Sequence, residues 1–191
     1  MRIGLLGGSF DPAHEGHAHI TREALKRFGL DEVWWLVSPG NPLKDISRLP
    51  SLEQRMDLCA ELAGDPRIKV TGFEARHQVR YTADTVRLVR KRRPRLKFVW
   101  LMGADNLAEF HRWENWRDIM GLVPIAVMAR PGQRISARLS PAARMFRAHK
   151  LKSREAMRIA GMMPPAWVFV NVPMSDLSST RIRARGDWRS D

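Results

Sequence analysis

Cysteine is nearly absent from this sequence: Cys59 stands alone, and no apolar run approaches the roughly 18 residues of a membrane-spanning helix. A single thiol excludes a disulfide scaffold and any zinc site built from several cysteines. The opening segment reaches Gly7 and Gly8 too early to hold the roughly 7–15 apolar residues of a secretory leader. A cytoplasmic location is therefore expected. Acidic residues are also short, with 20 Asp+Glu against 33 Lys+Arg and a formal charge of +13. Neither a G-x-G-x-x-G fingerprint nor a G-x-x-x-x-G-K-[ST] loop occurs, which argues against an NAD-dependent dehydrogenase and a P-loop ATPase. RNP-like aromatics and Cys/His finger spacings are missing too, so the usual companions of a nucleic-acid-binding surface are lacking.

What is present looks globular. Hydrophobic residues make up 44% and charged residues 28% of 191 positions, a balance that excludes a disordered chain and fits one domain over 1–191. The basic excess implies an anionic partner: nucleic acid, an acidic membrane or a phosphorylated small molecule. It is concentrated at 76–97, with nine basic residues and one acid, and at 138–158, with seven and one. Such runs are ordinarily solvated helix faces.

Short apolar runs at 2–6, 33–37, 68–70, 96–102, 124–128 and 167–170 read as strands. Helical spacing between them predicts helices over about 15–28, from Ser51 onward, from about Thr82, after Gly103 and over about 141–160, with a last short helix capped at 178–180. Gly29 stops the first helix, and Ser51 with Gln54 makes a capping box for the second. Strands alternating with helices imply an α/β fold with a doubly wound, Rossmann-like parallel sheet, whose ligands bind beyond the carboxyl ends of the strands.

The loop after the first strand carries the densest chemistry: Gly7, Gly8, Ser9, Phe10, Asp11, Pro12, Ala13, His14, Glu15, Gly16, His17. Glycines allow backbone N–H groups to approach phosphate oxygens, and the helix start supplies a positive dipole end. His14 and His17, three apart in a first turn, share a side. A histidine pair could hold zinc, but no third ligand is apparent, so no metal site is expected. Either histidine alone reads equally as a helix cap or a core residue.

At His14-Glu15-Gly16-His17 the chain resembles the nucleotidyltransferase superfamily, whose signature is a histidine–x–glycine–histidine pair after the first strand. Together with Tyr81-Thr82-Ala83-Asp84-Thr85, Gly103-Ala104-Asp105-Asn106 and Ser178-Ser179-Thr180-Arg181-Ile182-Arg183, in that order, it looks like the bacterial nicotinate-nucleotide adenylyltransferases. The resemblance implies transfer of AMP from ATP to nicotinate mononucleotide, with Mg²⁺ accompanying ATP. It implies ATP contacts by Gly7, Gly8, Ser9, Phe10, His14, His17, Gly103, Asp105, Ser179, Thr180 and Arg183. Lys44, Tyr81, Thr82, Trp113 and Glu114 would bind the mononucleotide, with Trp113 stacked on the nicotinate ring. His14, His17, Lys44 and Arg183 are the expected catalytic set.

Each of these segments has a plainer reading. Ser178–Thr180 could be an N-cap beside a surface arginine, Asp105 a helix cap, and Trp113 core packing. Leu43 stands where many relatives have histidine. Two alternatives also remain on the sequence: another adenylyltransferase with the same histidine motif, such as one acting on phosphopantetheine, and a basic nucleic-acid-binding module using 76–97.

Overall fold

The computed structural model describes residues 1–40, 49–129 and 134–173. Among them, β1 (Arg2–Gly8), β2 (Glu32–Val37), β3 (Ile68–Thr71), β4 (Lys97–Gly103), β5 (Ile125–Ala129), β6 (Lys150–Leu151) and β7 (Trp167–Asn171) form one sheet. Their order is β3-β2-β1-β4-β5-β7-β6, and every neighbouring pair is parallel. Parallel neighbours need crossovers, and the chain supplies α1 (Glu15–Arg27), α2 (Leu52–Ala63), α3 (Phe73–Arg76), α4 (Thr82–Arg92), α5 (Ala104–Glu109), α6 (Trp116–Leu122), α7 (Arg134–Arg138) and α8 (Pro141–Met145). Shorter 3₁₀ turns lie at Phe110–Arg112, Arg147–His149 and Ser153–Gly161.

Strand alternation sends β4 side chains to both faces. Trp100 and Met102 join Ile3, Leu5, Val86, Phe110 and Trp116 in one core. Val99 and Leu101 join Val33, Trp35, Ala18, Phe28 and Ile159 in the other. Both faces of the sheet are covered, as a parallel sheet requires. Burying each such large side chain is worth about 1.5–3 kcal/mol.

From β1 the chain winds outward through β2 to β3, then returns to lay β4 against the other side of β1. The winding reverses between β1 and β4, so their carboxyl ends, Gly8 and Gly103, flank the crevice where this architecture binds ligands.

Several expected boundaries hold. Ser51 Oγ accepts the Gln54 N–H at 3.1 Å while Gln54 Oε1 accepts the Ser51 N–H at 3.1 Å, closing the capping box of α2. Just beyond α1, Gly29 has φ +58°, the left-handed conformation glycine adopts without cost.

One expectation fails. The single helix read over 141–160 is α8, a 3₁₀ turn, the short β6 and a second 3₁₀ stretch. Trp167 in β7 donates its indole N–H to the Phe146 carbonyl at 2.8 Å, and β6 pairs with Trp167 and Val168. These tertiary bonds capture backbone that helix propensity alone would have wound up. The strand read as sixth is consequently β7, and α3, α6 and α7 are additional. The helix expected at 178–180 lies outside the described residues.

Candidate active site

The loop between β1 and α1 is shaped by an aromatic bracket. Phe10, 2% exposed with φ +48°, stacks on Trp35 at 5.2 Å between centroids and lies 4.9 Å from the His17 ring. Trp35 meets His17 edge-on at 6.2 Å, and its indole N–H donates to Thr21 Oγ1 at 2.8 Å. His17 is thus held from beneath by two rings that are themselves fixed by β2 and α1.

His14 caps α1: its extended backbone (φ −151°, ψ 165°) precedes the helix, and its Nδ1 accepts the Gly16 N–H at 3.1 Å. In return His17 Nδ1 accepts the His14 N–H at 3.2 Å. The two rings lie 4.1 Å apart. The capping and shared-side readings therefore hold together, because the bonds that cap the helix also orient the pair. An Nδ1 that accepts a backbone N–H carries no proton, so the neutral ring bears its hydrogen on Nε2. Both histidines are fixed in the tautomer whose donor points away from the helix backbone.

The two glycines differ. A Cβ on Gly7 would lie 2.7 Å from Trp100 Cη2, whereas one on Gly8 would meet Phe10 at an ordinary 3.5 Å. Gly7 is small because the Trp100 indole packs against its Cα on the core side. The half-buried Ser9 follows at the start of the loop.

On the other side of the crevice, Gly103 ends β4 and precedes α5, and the exposed Asp105 folds its carboxylate back over it. A Cβ on Gly103 would sit 2.3 Å from Asp105 Oδ1, so this glycine makes room for the carboxylate. No side-chain capping bond forms there. Tyr81 stands in extended backbone before Thr82, the first residue of α4, and is 37% exposed.

Trp113 is half-buried, edge-on to Trp100 at 6.4 Å and to Phe110 at 5.2 Å. Trp116, by contrast, is buried between Phe110 and Phe146. The structure separates the two indoles: Trp116 belongs to the core, and Trp113 keeps surface to offer a ring. Glu114 beside it is exposed. Lys44, Ser179, Thr180 and Arg183 lie outside the described residues.

Two polar residues that the sequence reading missed are buried next to these loops. Arg55, 1% exposed on α2, donates Nη1 to the carbonyls of Ser9 (2.6 Å) and Ser38 (2.8 Å), and Nε to that of Pro50 (3.0 Å). Burial pushes its pKa down, opposed by the Asp11 carboxylate. An arginine remains charged regardless. Glu74 on α3 is 6% exposed and accepts the Thr85 hydroxyl at 2.9 Å. Burial raises its pKa to about 7 against that bond, which favours the charged form. Both occupy helical positions that would pass for solvated ones, and no spacing rule marks them. Cys59 is buried with its thiol pushed up to about 12, and so stays protonated.

Among the described residues no three His, Cys, Asp or Glu side chains group closely enough to hold a metal ion, and no helix is long and apolar enough to cross a membrane. The arrangement can grip an anion at the histidine pair, present a ring at Trp113 and accept hydroxyl donors at Asp105.

Comparison with known proteins agrees. A cytidylyltransferase-like family model matches residues 5–185. A Cereibacter sphaeroides protein named probable nicotinate-nucleotide adenylyltransferase is 59% identical over 189 residues, covering 99% of this chain and 100% of that one. A Brucella suis protein of the same name is 52% identical over 183 residues, covering 96% and 94%. The solved Plasmodium falciparum nicotinic acid mononucleotide adenylyltransferase complexed with NaAD superposes with a TM-score of 0.72, over 99% of this chain and 85% of that one. At 16% identity that likeness is one of fold. With its histidine pair, its switch-point crevice and these full-length relatives, the chain belongs to the nicotinate-nucleotide adenylyltransferases of the cytidylyltransferase-like family.

Proposed function

We propose that the crevice between β1 and β4 joins ATP to nicotinate mononucleotide, forming nicotinate adenine dinucleotide and pyrophosphate. A phosphate oxygen of the mononucleotide attacks the α-phosphorus of ATP. The bond from that phosphorus to the bridging oxygen breaks, and its electron pair leaves with pyrophosphate. The nucleophile is already an anion near neutral pH, so no protein nucleophile or strong base is required. What the reaction needs is two anions held in line and stabilisation of charge on the transferring group.

The mutual capping of His14 and His17 carries this reading, because it fixes two Nε2–H donors on one side of the helix start. His17, with His14, is assigned to the α-phosphate, and the backbone of Gly7, Gly8, Ser9 and Phe10 to the phosphate chain. Gly103 and Asp105 are assigned to the nucleoside. Trp113 stacks on the pyridinium, a contact worth roughly 1–2 kcal/mol when desolvated, with backbone N–H groups near Thr82 and Glu114 on the nicotinate carboxylate and Tyr81 also assigned to the mononucleotide. Lys44, Ser179, Thr180 and Arg183 are assigned to phosphates on the sequence resemblance alone. Mg²⁺ accompanying ATP would be held mainly by phosphates and water, with no dedicated set of protein ligands, and would neutralise part of the phosphate charge. One nucleotidyltransferase domain over 1–191 is part of the proposal, supported by the two cores sharing one sheet. So is a cytoplasmic location, where a lone reduced thiol is ordinary.

His17→Ala tests the assignment, with folding checked by circular dichroism. Turnover is expected to fall at least about a hundredfold; a fall of less than about tenfold, or 1.4 kcal/mol of transition-state stabilisation, contradicts the role.

A further inference from the structure

Arg55 is fully buried at the junction of the loops that begin and flank the crevice. Its Nη1 bridges the carbonyls of Ser9, after β1, and Ser38, after β2, while Nε holds the carbonyl of Pro50, just ahead of α2. The same two strand ends are joined by the Ser38 N–H donating to the Gly8 carbonyl at 2.9 Å. Charge-assisted bonds of this kind are about twice as strong as neutral ones. They are stronger again here because water is excluded.

The consequence lies in the planarity of the peptide. In a trans peptide the C=O of one residue and the N–H of the next point in opposite directions. A cation that draws the Ser9 carbonyl toward α2 therefore turns the Phe10 N–H away from α2. Phe10 has φ +48°, a conformation a bulky residue adopts only where its surroundings impose it. Arg55 on one side and the Trp35 stack on the other are what impose it.

We propose that Arg55 is a positioning residue for ATP: by holding the Ser9 and Ser38 carbonyls it fixes the Ser9–Phe10 peptide plane, so that the Phe10 N–H is presented to the phosphate chain. Its hydrogen bonds go to Ser9, in the loop assigned to ATP, and to Ser38 and Pro50, which flank the stretch of sequence carrying Lys44; none goes to Trp113, Tyr81 or Thr82. A residue that merely filled the core would affect both substrates alike. Lysine cannot replace it, because one ammonium lacks the planar fork that spans three carbonyls. This role rests on the assignment of the β1–α1 loop to ATP.

The test uses Arg55→Lys and Arg55→Ala in the full chain, with ATP affinity measured by calorimetry and KM measured for each substrate. A folded Arg55→Lys is expected to bind ATP at least about tenfold more weakly, with KM for nicotinate mononucleotide moving less than about threefold. Millimolar guanidinium ion is expected to restore part of the ATP affinity of Arg55→Ala and leave that of the parent unchanged. ATP affinity within about twofold of the parent in folded Arg55→Lys, or equal loss for both substrates with no rescue by guanidinium, overturns the proposal. If the parent binds ATP but makes no dinucleotide, the assigned reaction fails, while the calorimetric comparison still decides the role of Arg55.

Discussion

His14 caps a helix and, on the proposed mechanism, also donates to phosphate, and two substitutions separate those roles. Asparagine is a good N-cap and lacks an Nε2–H placed like that of imidazole. His14→Asn is therefore expected to melt within about 0.5 kcal/mol of the parent, whereas His14→Ala loses roughly 0.5–2 kcal/mol. Both should lose activity alike, read by thermal unfolding beside turnover. Glu74 is a second residue with a separable signature. Its pKa is 4.5 ordinarily and about 7 in the fold. A raised folded value means that the native state holds the proton more tightly. The stabilisation is fully present below 4.5 and is lost as pH rises through 7. The shift corresponds to roughly 3 kcal/mol at alkaline pH. Glu74→Gln still accepts the Thr85 hydroxyl but does not titrate. Urea unfolding at about pH 5 and pH 8 should show the parent losing stability across that window and the variant losing much less.

At the scale of elements, β1 carries the candidate site where its last two residues, Gly7 and Gly8, run past the pairing with β4, which ends at Leu6 and Leu101, and pair with β2. Gly7 has the Trp100 ring beneath it, while Gly8 has ordinary clearance. Gly7→Ala should cost roughly 1–3 kcal/mol by overpacking and depress turnover, and Gly8→Ala should cost clearly less, as denaturant midpoints will show. Most elements were legible because their signals are local: the capping box at Ser51, the glycine after α1 and the apolar runs that become β1, β2, β3, β4, β5 and β7. The stretch after Pro141 was not legible. Ala, Arg, Met and Leu favour helix, and only contacts from Trp167 and Val168, far along the chain, redirect it. The site divides in the same way. The histidine pair is written in its three-residue spacing, but Arg55 and Glu74 acquire their roles from carbonyls and a hydroxyl that other elements bring to them.

For the whole molecule, the excess of +13 correctly suggested an anionic partner and said little about where it binds. Arg90, Lys91, Arg92, Arg93, Arg95 and Lys97 are exposed, and they cluster where β4 begins, at the end of the strand away from Gly103. Such charge draws anions toward the molecule generally. On the proposed assignment, selection rests instead on a few groups at the carboxyl ends of β1 and β4, on backbone N–H donors and on two histidines that a formal count treats as neutral. The most direct measurement offers ATP with nicotinate mononucleotide, its amide counterpart or phosphopantetheine in separate reactions, following pyrophosphate release and identifying each product by mass. The expected result is fastest release with nicotinate mononucleotide and formation of nicotinate adenine dinucleotide. Activity only with phosphopantetheine, or with none of the three while DNA binding is salt-sensitive, would contradict the account.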